Sequence, residues 1–506
     1  MNVSAAPASE RQGLFLLSGV EMWERFSYHM MRAMLVLFLT APVAAQGFGW
    51  ASADAYKLYG FYTGLIYVTP VVGGWLADRR LGLQPALILG ASLMCLGHFL
   101  MAGPAIAPWL ADTASNGGVS IVLETAGVPF AQISRGEIQP ALAEAALAHA
   151  GNAAAAEELL GLVSLTYQAI TFSFYAALGS LIIGAGFFLP SASSLLGKIY
   201  GSDGPQRERG FFIFYLSINI GATLAPIAAG IFGERLGWHF GFTVAGFAMA
   251  VGLSVFLIFR RRMIGDVGRY PPARPAKVER VESQAVETSA VVKDRLVVLL
   301  ILAAFTFLSD LCLGQIGGLL NVLTRDRVDR VILGYEWPTV WFQTFYPFFI
   351  VVFLALLVWL TRLLDRVGRN PPVSLKFSIG FGFLSLGLLV IITAMKVDGM
   401  INPLYIVVMY ALMAAGEVLI YPVARAMVTR YAPQDRTVTF MGVLFLMGAF
   451  GSIASGYVAA LSVRVGEVTV FTGLVAATSL AVVFLAAFSP WFARMSHGLE
   501  SVRPRG

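Results

Sequence analysis

Glu21-Met22-Trp23-Glu24-Arg25-Phe26-Ser27-Tyr28 interrupts an otherwise apolar run from about 13 to 42. The run is long enough to cross a bilayer as a helix. A helix turns about 100° per residue, so Glu21, Glu24, Arg25, Tyr28 and Arg32 fall on one stripe. Each ionised group in a membrane costs about 2.5–3.5 kcal/mol on the insertion scale, so four cost on the order of 10. Two carboxylates stand against two guanidiniums. The pattern predicts a charge network that faces a watery or protein-lined interior rather than lipid.

Composition agrees with a membrane protein. Of 506 residues, 58% are hydrophobic and only 13% charged. A soluble chain of this size needs more polar surface. The net charge of +6 is carried by short loops and does not indicate nucleic acid binding. The two cysteines, Cys95 and Cys312, lie in apolar runs, which argues against a disulfide framework or a cysteine metal site. No nucleophile with a base, no metal-ligand cluster and no phosphate loop is present, so an enzyme is not expected, nor a cofactor.

Hydrophobic spans are expected at about 13–41, 56–77, 83–108, 167–199, 210–233, 237–260, 295–323, 338–362, 374–396, 403–428, 438–463 and 467–490. Twelve spans put both termini on one side. The loops then on the inside hold Arg79, Arg80, Lys198, Arg207, Arg209, Arg260 to Arg262, Arg362, Arg366, Arg369, Arg430 and Arg436, which predicts cytoplasmic termini. A weak repeat, Asp78-Arg79-Arg80-Leu81-Gly82 after the second span and Asp365-Arg366-Val367-Gly368-Arg369 after the eighth, suggests two six-helix halves with the site between them. The expected organisation is a cytoplasmic tail at 1–12, a first bundle at 13–262, a linker at 263–293, a second bundle at 294–490 and a tail at 491–506. The linker begins with Tyr270-Pro-Pro-Ala-Arg-Pro and reads as flexible. An Ala-rich insertion at 109–165 is expected outside, with short surface helices at 140–149 and 152–160.

Glu21-x-x-Glu24-Arg25-Phe26-x-Tyr28, with His29 where a second Tyr is usual, resembles the first-helix hallmark of the proton-coupled oligopeptide transporters, a branch of the major facilitator superfamily. Further resemblance lies in Tyr67-Val-Thr-Pro70-Val-Val-Gly73-Gly74-Trp75, in Phe211 to Gly221 with Asn219 and Pro226, in Gly237-Trp238-His239-Phe240-Gly241-Phe242, and in Gly416-Glu417 with Tyr421-Pro422. The resemblance implies an all-α membrane protein of two six-helix bundles that imports di- and tripeptides with protons, as a monomer in the inner membrane. It assigns proton coupling to Glu21, Glu24 and Arg25, with His29 and Asp310 added from residue chemistry. It places peptide binding on Arg32, Asn219 and Glu417, and Arg25, Tyr28, His29, Tyr67, Gln315 and Tyr346 are further candidates for that site. A zwitterionic peptide wants a cation at one end and an anion at the other, and Arg32 and Glu417 supply them.

The chain also departs from the family pattern. Leu189-Pro190-Ser191 stands where Lys-Pro-Asn is usual, and Gly314 where a Glu precedes Gln315. That Lys and Glu appear lost together, so restoring both is expected to be better tolerated than restoring Lys alone. Asp310 lies one turn before Gln315 and calls for a buried partner, with Arg32 and then Arg25 expected. Tyr346-Pro347 replaces a common Asn-Pro. The altered pocket leaves a relative that carries another small organic anion or peptide-like compound as an alternative. A receptor built on a transporter scaffold is a third reading.

Overall fold

In the computed structural model, residues 10–42, 45–126, 140–200, 204–271, 289–367, 370–433 and 437–497 are described. Nearly all of them are helical. The first helices are α1 (Glu10–Thr40), α2 (Ser52–Leu76), α3 (Leu83–Leu100), α4 (Gly103–Ser115), α5 (Gly118–Ala126) and α6 (Pro140–Ala150). There follow α7 (Ala153–Ile199), α8 (Gly204–Ala228), α9 (Trp238–Met263), α10 (Ser289–Leu313) and α11 (Leu319–Arg327). A two-residue hairpin pairs Val331–Ile332 with Tyr335–Glu336. The last helices are α12 (Phe345–Arg366), α13 (Val373–Ala394), α14 (Pro403–Tyr431), α15 (Thr437–Val465), α16 (Glu467–Ala487) and α17 (Ser489–Met495).

Ten helical stretches among the described residues are long and apolar enough to cross a membrane. The chain is therefore an all-α integral membrane protein. Helices α1 and α2, at 31 and 25 residues, are long enough but fall outside those ten, because charged and polar side chains lower their hydropathy.

Several expected boundaries shift for identifiable reasons. The third span stops at Leu100, and Pro104 starts a separate helix, α4. Helix α6 matches the expected 140–149 element, but 152–160 is not a short helix of its own. Asn152 caps Ala155 N at 2.9 Å and opens α7, 47 residues that run unbroken to Ile199. At 1.5 Å per residue α7 is about 70 Å long, more than twice the hydrocarbon core. The seventh span is broken: a 3-10 turn at Gly314–Ile316 and the glycines 317 and 318 separate α10 from α11. The expected linker begins with ordered chain. Ile264 is buried, and Gln84 Nε2 donates to Gly265 O and Val267 O at 2.8 and 2.9 Å. The tails 1–9 and 498–506, residues 127–139 of the insertion, 272–288 of the linker, and Gly368, Arg369 and Arg436 of the basic loops lie outside the described residues.

The chain divides into two compact units. The first is Met1–Tyr59, Val72–Tyr270 and Pro338–Trp341; the second is Gly60–Val71, Pro271–Trp337 and Phe342–Gly506. In the first, α1 packs along α8 and α9, and α3 along α7. Phe38, Phe48, Phe174, Trp238 and Phe242 form an aromatic core at one end of α1. In the second, α13 packs on α14 and α16, and α10 on α15. Phe377, Phe381, Leu384 and Leu388 of α13 are fully buried there.

Candidate functional site

The first-unit residues are assembled on α1. Gly221 of α8 lets that helix approach closely: a Cβ there would lie 3.0 Å from Phe26 N and 3.2 Å from Arg25 Cβ. On the other flank, Ser27 Oγ donates to Ala245 O of α9 at 2.8 Å. Held between two helices, Glu24 is 0% and Glu21 4% exposed. Arg25 Nε bonds Glu24 Oε2, and its Nη2 donates to Glu24 Oε1 at 2.8 Å. The same Nε lies 3.3 Å from Glu21 Oε1. Glu21 Oε2 is buried without a hydrogen-bond partner.

The expected two-against-two balance is therefore resolved differently on this helix. Arg25 alone serves both carboxylates, while Arg32 Nε donates to Tyr59 OH at 2.7 Å. The Arg25 guanidinium sits 5.2 Å over the Tyr28 ring, and Tyr28 meets the His29 ring edge-on at 5.1 Å. Asn219 is 4% exposed and donates to Tyr215 O of its own helix at 2.9 Å.

The second-unit residues are Tyr67, Asp310, Gln315, Tyr346 and Glu417. Asp310 hydrogen-bonds the Tyr421 hydroxyl, with Glu417 and Tyr67 close to that phenol. Tyr421 is thus one partner of Asp310 within this unit. Asp310 fits against α15 because positions 448 and 451 are glycine; a Cβ at 448 would lie 2.8 Å from Asp310 Oδ2. Glu417 follows Gly416, whose added Cβ would lie 2.8 Å from Gly380 O, so α13 and α14 cross in backbone contact. Tyr346 is nearly buried, its ring 6.3 Å from that of Tyr410.

Gln315 was expected to bind substrate. It is fully buried, and its Nε2 donates to Leu311 O and Ser455 O, both at 3.1 Å. Here it ties the break in the seventh span to α15. A Cβ at Gly314 would lie 2.6 Å from Ser455 Cβ. A glutamate at 314 therefore meets Ser455 unless α15 or that side chain shifts, which counts against the expectation that the double restoration is the better tolerated.

Tyr59 and Tyr421 were not among the expected site residues, although Tyr421 lies in the stretch that carries the resemblance around Glu417. Tyr59 had a signal: Tyr56, Tyr59 and Tyr62 recur every three residues and are all buried, too polar a stripe for lipid.

Charged and hydrogen-bonding groups buried inside long apolar helices mark a functional site in a membrane-spanning protein. The POT family model matches residues 85–269 and 273–475, and the chain belongs to that family. Among its relatives, an uncharacterized transporter YclF of Bacillus subtilis (strain 168) is 26% identical, over 93% of this chain and 91% of the relative. A dipeptide and tripeptide permease B of Xenorhabdus bovienii (strain SS-2004) is 24% identical, over 95% of each. The crystal structure of a peptide transporter POT in complex with sulfate shares the fold. Its TM-score is 0.76 at 23% identity, covering 98% of this chain and 97% of that one.

Proposed function

We propose that the protein imports di- and tripeptides together with protons, by alternating access. The observation that carries this is the Glu21–Glu24–Arg25 cluster: two buried carboxylates share one guanidinium, and one carboxylate oxygen has no hydrogen-bond partner. Such a cluster holds one negative charge too many, and a single proton makes it neutral. Burying a net charge is costly, so proton uptake and closure of the protein around the cluster favour each other. In this reading Glu24 and Glu21 carry the proton, and Arg25 ties its release to the substrate carboxylate. Arg32, oriented by Tyr59, binds that carboxylate bidentately, with Tyr28 and His29 beside it. Glu417 takes the peptide amino group, Tyr67, Asn219 and Tyr346 are further binding residues, and Asp310 is a second titrating group. Membership of the family and the similarity to a dipeptide and tripeptide permease support the substrate class.

The reading counts α1 and α2 as spans, making twelve, and places both termini in the cytoplasm. The protein works as a monomer driven by the proton gradient, without a bound cofactor. One feature favours a substrate other than an ordinary peptide. Leu189 and Gly314 stand in place of a Lys and a Glu of the pocket the resemblance implies, and a pocket altered in this way is the ground for a related small organic anion or peptide-like compound as the alternative substrate. Proteoliposomes with an imposed proton gradient separate the two. Accumulation of radiolabelled dialanine supports peptide import; none, with accumulation of another anion, supports the second reading.

A further inference from the structure

Residues 338–341 belong to the first unit, although the chain on either side of them belongs to the second. What holds them is Glu234, in the π-helical turn Ala229–Arg235 that ends α8. Thr339 N and Thr339 Oγ1 both donate to Glu234 Oε1, at 2.8 and 2.6 Å. Val340 N donates to Glu234 Oε2 at 3.2 Å. Beside them Trp341 Nε1 donates to Ile227 O at 3.0 Å, and the indole lies on Gly230, where any Cβ would collide with it. Thr339 is 1% and Val340 0% exposed, so water does not serve these donors.

The chemistry is that of a helix cap supplied from a distance. Thr339–Thr344 is a 3-10 helix that runs straight into α12. Its first N–H groups have no partner within the helix. A carboxylate satisfies them with charge-assisted bonds and complements the positive end of the helix dipole. Tyr346, a proposed substrate residue, follows within two turns. Glu234 thus fixes where that helix begins.

We propose that Glu234 is the clasp of a strap, residues 338–341, which must let go in each transport cycle. A four-residue strap anchored in one unit and continuous with chain of the other is held by the bonds to Glu234 at its start and by the Trp341 indole at its end, so its release begins with loss of the Glu234 bonds. The part that concerns the cycle rests on the transport reading; the clasp itself does not.

Two measurements test it. The first is amide exchange of Thr339 and Val340 in the wild-type protein and in Glu234→Ala and Thr339→Ala. With Glu234→Ala both amides are expected to exchange at least about tenfold faster, as loss of charged hydrogen bonds implies, while amides of α1 do not change. Thr339→Ala keeps the backbone bonds and has a smaller effect. Unchanged exchange in Glu234→Ala overturns the clasp. The second uses Glu234→Cys with Thr339→Cys, in protein carrying Cys95→Ala and Cys312→Ala, joined by a short reducible bis-methanethiosulfonate. Joined protein is expected to lose dialanine uptake and regain it on reduction; uptake at the reduced rate while joined overturns the opening step. If even the reduced protein imports no dialanine, the substrate reading fails, and opening is read instead from a bulky maleimide on Thr339→Cys in liposomes. Steady labelling supports a strap that opens; labelling blocked for hours overturns it.

Discussion

Replacing Glu24 by Gln removes one charge and almost no volume. Arg25 then keeps one amide oxygen as acceptor in place of the two carboxylate oxygens it bonds now, and its 3.3 Å contact to Glu21 remains. The loss of one charge-assisted bond costs about 1.5–3 kcal/mol, partly offset because Glu21 no longer has a like charge beside it. Glu24→Ala goes further and removes one of the two carboxylates that the buried Arg25 faces, a cost of about 3–5 kcal/mol. The expected order of thermal stability in detergent is wild type, then Gln, then Ala. Transport is expected to respond differently from stability. The Gln variant starts with a neutral cluster, one guanidinium against one carboxylate, and needs no proton to close. In proteoliposomes it should lose uptake driven by an imposed proton gradient and keep peptide exchange with equal pH on both sides. Concentrative uptake by Glu24→Gln at the wild-type level would remove Glu24 from proton coupling, whatever its stability.

Arg32→Lys keeps the charge but loses the planar fork and the 2.7 Å bond to Tyr59; KM for dialanine should rise, with a smaller rise in Tyr59→Phe. If Arg32→Lys transports like wild type, the carboxylate is bound elsewhere. Gly221→Ala pushes a methyl group into Phe26 N and Arg25 Cβ, an overpacking worth about 1–3 kcal/mol, and should lower both melting temperature and uptake; unchanged values in both would show that α1 and α8 separate freely. Leu189→Lys with Gly314→Glu should give less folded protein than Leu189→Lys alone, because the new side chain meets Ser455; an equal or better yield from the double variant, by size-exclusion chromatography, contradicts the contact.

The α1 cluster was legible because ionisable residues inside an apolar run have few explanations, and helical spacing put them on one stripe. Their pairing was not. Counting charges balanced Arg25 and Arg32 against Glu21 and Glu24, but the structure gives both carboxylates to Arg25 and turns Arg32 to Tyr59, a residue 27 positions away. The break after α10 was hidden by hydrophobicity: Gly314, Gly317 and Gly318 stand in a run apolar enough to read as one span. The length of α7 was hidden by the opposite bias. Glu157 and Glu158 set 152–160 apart as a short surface helix, yet the Asn152 cap and a run of alanines open one helix that runs on through them. Glu234 carried no expectation, since nothing local marks a partner 105 positions on.

What places the candidate residues in both units is glycine on the helix opposite. Arg25 lies against Gly221, Asp310 against Gly448 and Gly451, and the turn carrying Glu417 against Gly380 through Gly416. In a bilayer there is no hydrophobic gain in pressing helices together, so backbone contact through small residues supplies the packing. At these three crossings it also sets a neighbouring helix close against the one that carries the polar group. A neutralising proton or a substrate charge is then expected to change the energy of the crossing as well as of the side chain. A glycine-to-alanine change at any of these crossings should therefore alter transport more than a comparable change at a glycine with open space around it, such as Gly473.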